Sequence, residues 1–121
     1  MTQIINSKQY DLEERTYKFS KSVAIFCKNL PKTVSNIEYI KQVIRSSGSV
    51  GANYIEANES LSKKDFVMRI KISRKEAKES AYWLRLIIET NLNEFRKEGE
   101  LFLNESTELK KIFSSILNKS Q

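Results

Sequence analysis

Three features of this chain predict an all-α fold, an up-down-up-down bundle of four helices. Apolar residues recur at spacings of three and four in four successive segments, as they do along amphipathic helices. Three Gly and one Pro among 121 residues are too few for the turns that a β-rich fold needs every 8–12 residues or so. The connections between the segments are short, which sets consecutive helices side by side and antiparallel. A chain of this length suits one domain with a useful core.

The first helix, about residues 11–29, carries Leu12, Thr16, Phe19, Val23, Phe26 and Leu30 on one face. It ends ahead of Pro31, which disfavours helical geometry at the residue before it. Ser35 or Asn36 caps a second helix, about 36–60, with Glu38 three residues after Ser35 as in a capping box. The apolar positions assigned to it are Ile37, Ile40, Ile44, Ser47, Gly51, Tyr54 and Leu61. Ser62 caps a third helix, about 63–91, with Asp65 in the matching box position. Its seam of Phe66, Ile70, Ser73, Ala77, Ser80, Leu84, Ile87 and Asn91 holds heptad register for more than three heptads. A fourth helix, about 96–119, carries Phe102, Ser106, Leu109, Phe113 and Ile116, widened by Ile112 and Leu117. The polar stretch from Asn91 to Gly99 leaves its start open between Asn93 and Asn104.

One segment breaks the pattern. Ser46 to Ile55, SSGSVGANYI, is ten residues without a charge in the middle of the second helix, where a surface helix should show a charged face each turn. Its two glycines each cost roughly 1 kcal/mol against Ala in a helix interior, and close approach of a neighbouring helix can offset that. Tight packing inside the bundle accounts for one small face. The second face is expected to meet another subunit, because one bundle covers only one side of a helix. Ser49, Asn53, Glu56 and Ser60 form a polar line beside the core stripe, with Asn53 and Glu56 placed to bond across helices or subunits.

The same segment carries a resemblance. SVGANYIEA (Ser49 to Ala57) and KKDFVMRIKISRKEAKESAYWL (Lys63 to Leu84) are similar to the small four-helix-bundle proteins encoded in intervening sequences of bacterial 23S ribosomal RNA. YDLEERTYKFS (Tyr10 to Ser20), LPKT (Leu30 to Thr33) and IRSSGSVGAN fit the same pattern, so the likeness runs from about Tyr10 to Asn118. The fourth helix matches only in its apolar spacing. The resemblance implies a homopentamer of four-helix bundles, in a family sometimes labelled ribosomal-protein-like. A similar fold serves as the accessory protein of diversity-generating retroelements, where a basic barrel contacts nucleic acid and a reverse transcriptase. The resemblance implies no established biochemical activity. Ser49, Gly51, Ala52, Asn53 and Glu56 carry over as structural signature positions, and Trp83 is expected at a bundle edge or subunit contact.

Charge points toward an anionic partner. Lys plus Arg number 21 against 15 Asp plus Glu, a formal +6. Residues 63–85 hold Lys63, Lys64, Arg69, Lys71, Arg74, Lys75, Lys78 and Arg85 against Asp65, Glu76 and Glu79, a local excess of +5. Lys64, Lys71, Lys75, Lys78 and Arg85 fall on one heptad-spaced face, with Met68 and Tyr82 between them. Such a face can follow a phosphate backbone, with Tyr82 available to stack on an unpaired base. The alternative is a solvated face that keeps the helix soluble. A ring of five copies would carry +30 and concentrate the field on one surface. Lys18, Lys21, Lys28 and Lys32 form a second, weaker cluster that solubility explains.

Most familiar enzyme classes are excluded by composition. Without His there is no Ser-His-Asp or Cys-His chemistry and no ordinary zinc or non-haem iron site, and one Cys rules out an internal disulfide. The rival reading is a Mg²⁺-dependent all-α nucleotide pyrophosphatase built on Glu56 with Glu59 and Glu76 with Glu79. Pairs at this spacing arise readily in a chain with 13 Glu, and Lys63, Lys64, Lys75 and Lys78 stand ready to neutralise them. No catalytic residue, metal ligand or cofactor is assigned. Met1 to Asp11 lacks the apolar core of a signal peptide, and no apolar run approaches the ~18 residues that span a bilayer. Cys27, unpaired in an apolar pattern, fits a reducing compartment, so a cytoplasmic location and no membrane partner are expected. The function expected is a non-catalytic homo-oligomer, pentameric by resemblance, that binds RNA or other nucleic acid or supports a nucleic-acid-processing protein. An assembly module whose basic face meets an acidic protein is the competing reading.

Overall fold

Short capped connections set the helix boundaries. The computed structural model describes the backbone of residues 2–120 and the side chains of residues 11–120. Helix α1 spans Thr2–Lys28, α2 Val34–Asn58, α3 Lys63–Thr90 and α4 Arg96–Lys119, with a 3-10 turn at Asn93–Phe95 leading into α4. The helix of α1 begins at Thr2 rather than near residue 11, since residues 2–10 hold no Gly or Pro to stop it. The cap of α2 is Thr33, not Ser35 or Asn36: the Asn36 backbone N–H donates to Thr33 Oγ1 at 3.1 Å. Asn36 is withdrawn from capping because its amide oxygen accepts from Asn91 Nδ2 at 2.8 Å, while its Nδ2 donates to Pro31 O at 2.9 Å and to Asn91 Oδ1 at 2.8 Å. Ser62 caps α3 as the sequence predicts, its Oγ accepting from the Asp65 N–H at 3.1 Å.

The four helices run alternately up and down, α3 packing closely against both α2 and α4 while α1 lies on α2 and more lightly on α4. The core is one cluster drawn from all four, including Phe19, Val23 and Phe26 of α1, Val43, Val50 and Tyr54 of α2, Ile70, Leu84 and Ile87 of α3, and Leu109 and Phe113 of α4. Large side chains buried this way each stabilise the fold by roughly 1.5–3 kcal/mol. The periodic seams of α1, α3 and α4 lie inward as predicted.

The seam of α2 does so only in part. Ser47, Gly51 and Tyr54 are buried and Ile40 packs against the core as predicted, but Ile37 and Ile44 are 44% and 39% exposed, Leu61 lies beyond the helix end, and Asn36, Val43, Ser46, Val50 and Ala57 complete the buried line. The shift follows from how α2 meets α3. Ser73 Oγ donates to Val50 O at 2.9 Å and the Ser46 and Ser80 hydroxyls meet at 2.8 Å, so short hydroxyls rather than isoleucines close the contact. Gly51 serves the other flank: a Cβ there would lie 2.9 Å from Thr16 Oγ1, so α1 reaches α2 only because position 51 has no side chain. No helix among the described residues is long and apolar enough to cross a membrane.

Candidate nucleic-acid interface

Because Ile70, Ser73, Ala77, Ser80 and Leu84 face the core, helical geometry turns the intervening basic residues outward. Lys64, Lys71, Lys75, Lys78, Tyr82 and Arg85 are all exposed on this outer side. Lys64, Lys71, Lys78 and Arg85 are each seven residues apart, so one cation stands about every 10 Å along the helix. Among the described residues Lys64, Lys71, Lys75 and Lys78 make no ion pair, and Arg85 makes one, with Glu89 at 3.3 Å. Lys63, Lys64 and Lys71 also rim a shallow depression floored by Val67 and Met68.

Glu76 and Glu79 of α3 do not pair with the stripe, because Arg45 of α2 takes them. Arg45 bonds to Glu79 Oε2 and lies 3.5 Å from Glu76 Oε2. The two carboxylates, Glu79 above all, hold the Arg45 guanidinium higher than its ordinary value. Glu79 also accepts the Trp83 indole N–H at 3.1 Å, and Trp83 stands between Tyr39 (6.1 Å, 34°) and Tyr82 (5.0 Å, edge-on at 77°). Glu76 is buried, and among the described residues its Oε1 has no hydrogen-bond partner.

The signature positions divide between two sides of α2. Ser49 and Asn53 face α3: Asn53 Nδ2 donates to Ser49 O and Oγ, both at 2.9 Å, while Arg69 Nη1 donates to Asn53 Oδ1 at 3.0 Å. Asn53 therefore bonds across helices, whereas Glu56 and Ala52 are exposed and Gly51 is buried against α1. Trp83 is half-buried at the α2–α3 edge. Outward on α2, Ile37, Ile44, Gly48, Ala52 and Ile55 share one shoulder, with Ile55 48% exposed.

Sequence comparison fixes the lineage of this bundle. The profile of the 23S rRNA-intervening sequence protein family matches residues 8–115, nearly the whole chain. The chain belongs to that family. The fold agrees: a crystal structure of a protein of unknown function from the S23 ribosomal protein family of Bacteroides thetaiotaomicron superposes with a TM-score of 0.74 at 32% identity. That match covers 87% of this chain and 96% of the Bacteroides chain. No curated protein matches.

Within this family member the two Glu pairs are not brought together. Glu76 and Glu79 are held at Arg45, eleven residues and about 16 Å along α2 from exposed Glu56. Among the described residues no group of three or more His, Cys, Asp or Glu could hold a metal ion. Cys27 is buried in the core, and burial pushes its thiol up to about 11. Sequence reasoning missed Arg45 as the clamp on α3, although a lone Arg bordering a charge-free segment was a signal for it. It also missed the reciprocal amide pair of Asn36 and Asn91, which no local pattern marks.

Proposed function

We propose that this protein is a non-catalytic homo-oligomer that binds RNA through the outer face of α3. The observation that carries the reading is the uncompensated stripe: Lys64, Lys71, Lys75 and Lys78 stand exposed without ion pairs among the described residues, while Arg45 draws Glu76 and Glu79 away. Binding of this kind rests on phosphate charge and counterion release, so it weakens steeply with salt and reads little sequence. The family's name, which ties it to intervening sequences of 23S rRNA, favours RNA among anionic partners.

Self-association supplies the rest of the charge. The exposed line of Ile37, Ile44, Ala52 and Ile55, which runs into the charge-free segment 46–55 of α2, supports a contact with a second copy, and five copies would raise the formal +6 to +30. The reading places the protein in the cytoplasm, in keeping with a buried, unpaired Cys27.

Light scattering after size exclusion, repeated with a short structured RNA at low and high salt, tests both parts. The reading expects a species near five times 14.1 kDa that shifts with RNA and releases it in high salt. A pentamer that ignores RNA at low salt would leave an assembly module, and a monomer would remove the subunit contact.

A further inference from the structure

We infer that the α3 face is built for unpaired nucleotides, with Tyr82 as the platform on which a base stacks and Lys78 and Arg85 holding the flanking phosphates. The inference rests on the RNA-binding reading and adds the substrate class to it. Tyr82 is 58% exposed, yet its ring is not free to wander. Trp83 braces it edge-on at 5.0 Å, the Trp83 indole is tied to Glu79 at 3.1 Å, and Glu79 is tied to Arg45. Tyr39 closes the row from α2, 6.1 Å from the Trp83 ring. A ring fixed this way loses little side-chain freedom when a base stacks on it, which is the preorganisation that favours binding.

The cations are spaced to match. Lys78 lies four residues before Tyr82 and Arg85 three residues after it, so each occupies the same side of the helix one turn away. Lys78 makes no ion pair among the described residues, and the exposed Arg85–Glu89 pair at 3.3 Å is weak enough to yield to a phosphate. A single strand presents both phosphates and an open base face to this arrangement. A duplex keeps its bases stacked inside and offers only phosphates, so the Tyr82 ring would lose water against the backbone without gaining a stacking partner.

Fluorescence anisotropy with a labelled 12-nucleotide oligouridylate and a labelled 12-base-pair RNA duplex, at one low salt concentration, tests the inference. The wild-type chain is expected to bind the single strand more tightly than the duplex. Tyr82→Ala should weaken single-strand binding roughly tenfold, as loss of one base–aromatic stack does, and should not weaken duplex binding. Tyr82→Phe should restore it, because the stacking face remains. Quenching of Trp83 fluorescence by the oligouridylate, absent with the duplex, should accompany binding. Equal affinity for the two RNAs, or single-strand binding indifferent to Tyr82→Ala, would overturn the stacking role and leave electrostatic binding in place. No binding of either RNA would overturn the RNA-binding reading and this inference with it.

Discussion

Arg45 of α2 and Glu79 of α3 are joined across 34 residues of sequence, and the same Glu79 oxygen accepts the Trp83 indole N–H. One ion pair thereby ties two helices together, braces the aromatic row and keeps negative charge off the lysine stripe. Glu76, buried and also facing Arg45, depends on the same cation. Arg45→Ala should destabilise the fold by about 1–2 kcal/mol, less than the 3–5 kcal/mol of a fully buried pair because Arg45 is half-exposed. Urea unfolding measures this. Adding Glu76→Gln should recover part of the loss, since the orphaned charge is then gone. RNA affinity in Arg45→Ala should also fall about two- to threefold, as freed Glu79 turns toward Lys75 one turn away.

The glycines of the chain predict opposite responses to alanine. At Gly48 a Cβ would meet only Ser20 Oγ at 3.7 Å, an ordinary contact, so Gly48→Ala should stabilise the chain by up to about 1 kcal/mol. At Gly51 it would lie 2.9 Å from Thr16 Oγ1, whose hydroxyl is held by the Leu12 and Glu13 carbonyls, and at Gly99 it would lie 2.7 Å from Ile88 Cγ1. Both of those substitutions should lower stability, by about 1–3 kcal/mol. Thermal unfolding of the three variants side by side checks the order.

Asn36 and Asn91 exchange two hydrogen bonds, each 2.8 Å, between the first turn of α2 and the residue that ends α3. Asn36 is 1% exposed, so removing its partner leaves a buried amide short of a bond. Asn91→Ala and Asn36→Ala should each cost about 1–3 kcal/mol. The double variant should cost less than their sum, and a double-mutant cycle gives the coupling.

Alkaline pH should destabilise the chain through Cys27. Burial raises its thiol from an ordinary 9.0 to about 11, so the unfolded chain ionises first as pH rises. The contribution is whole below about pH 9 and falls by roughly 1.4 kcal/mol per pH unit between 9 and 11. Cys27→Ala should flatten that slope in denaturation measured at pH 8, 9 and 10. Equal slopes in the two proteins would contradict it.

The parts of the fold that sequence reveals are those where residue spacing and burial agree. The α3 seam from Ile70 to Ile87, with its small Ser73 and Ser80, is of this kind, and so are the Ser62 cap and the outward placing of Lys71, Lys75 and Lys78. On α2 the two part company. Isoleucines stand outside at positions 37, 44 and 55 while Ser46 is buried, because the α2–α3 contact is closed by hydroxyl groups bonding to one another and to backbone. Hydrophobic spacing has no access to such a bond. The Arg45 clamp was legible only as a lone Arg beside a charge-free segment; its partners depend on the register of two helices, which no short motif encodes.

The central claim is that a located stripe, rather than net charge, binds RNA. Lys71→Glu/Lys75→Glu/Lys78→Glu on α3 should be compared with Lys18→Glu/Lys21→Glu/Lys28→Glu on α1, two variants of identical net charge altered at exposed residues. Anisotropy titrations across a salt series give the affinity and its salt slope for each. The account predicts that the α3 variant loses binding and that its slope shrinks by about 0.7 per lost phosphate contact on a single strand, while the α1 variant stays near wild type. Equal losses in both variants, or no loss in the α3 variant, would contradict it.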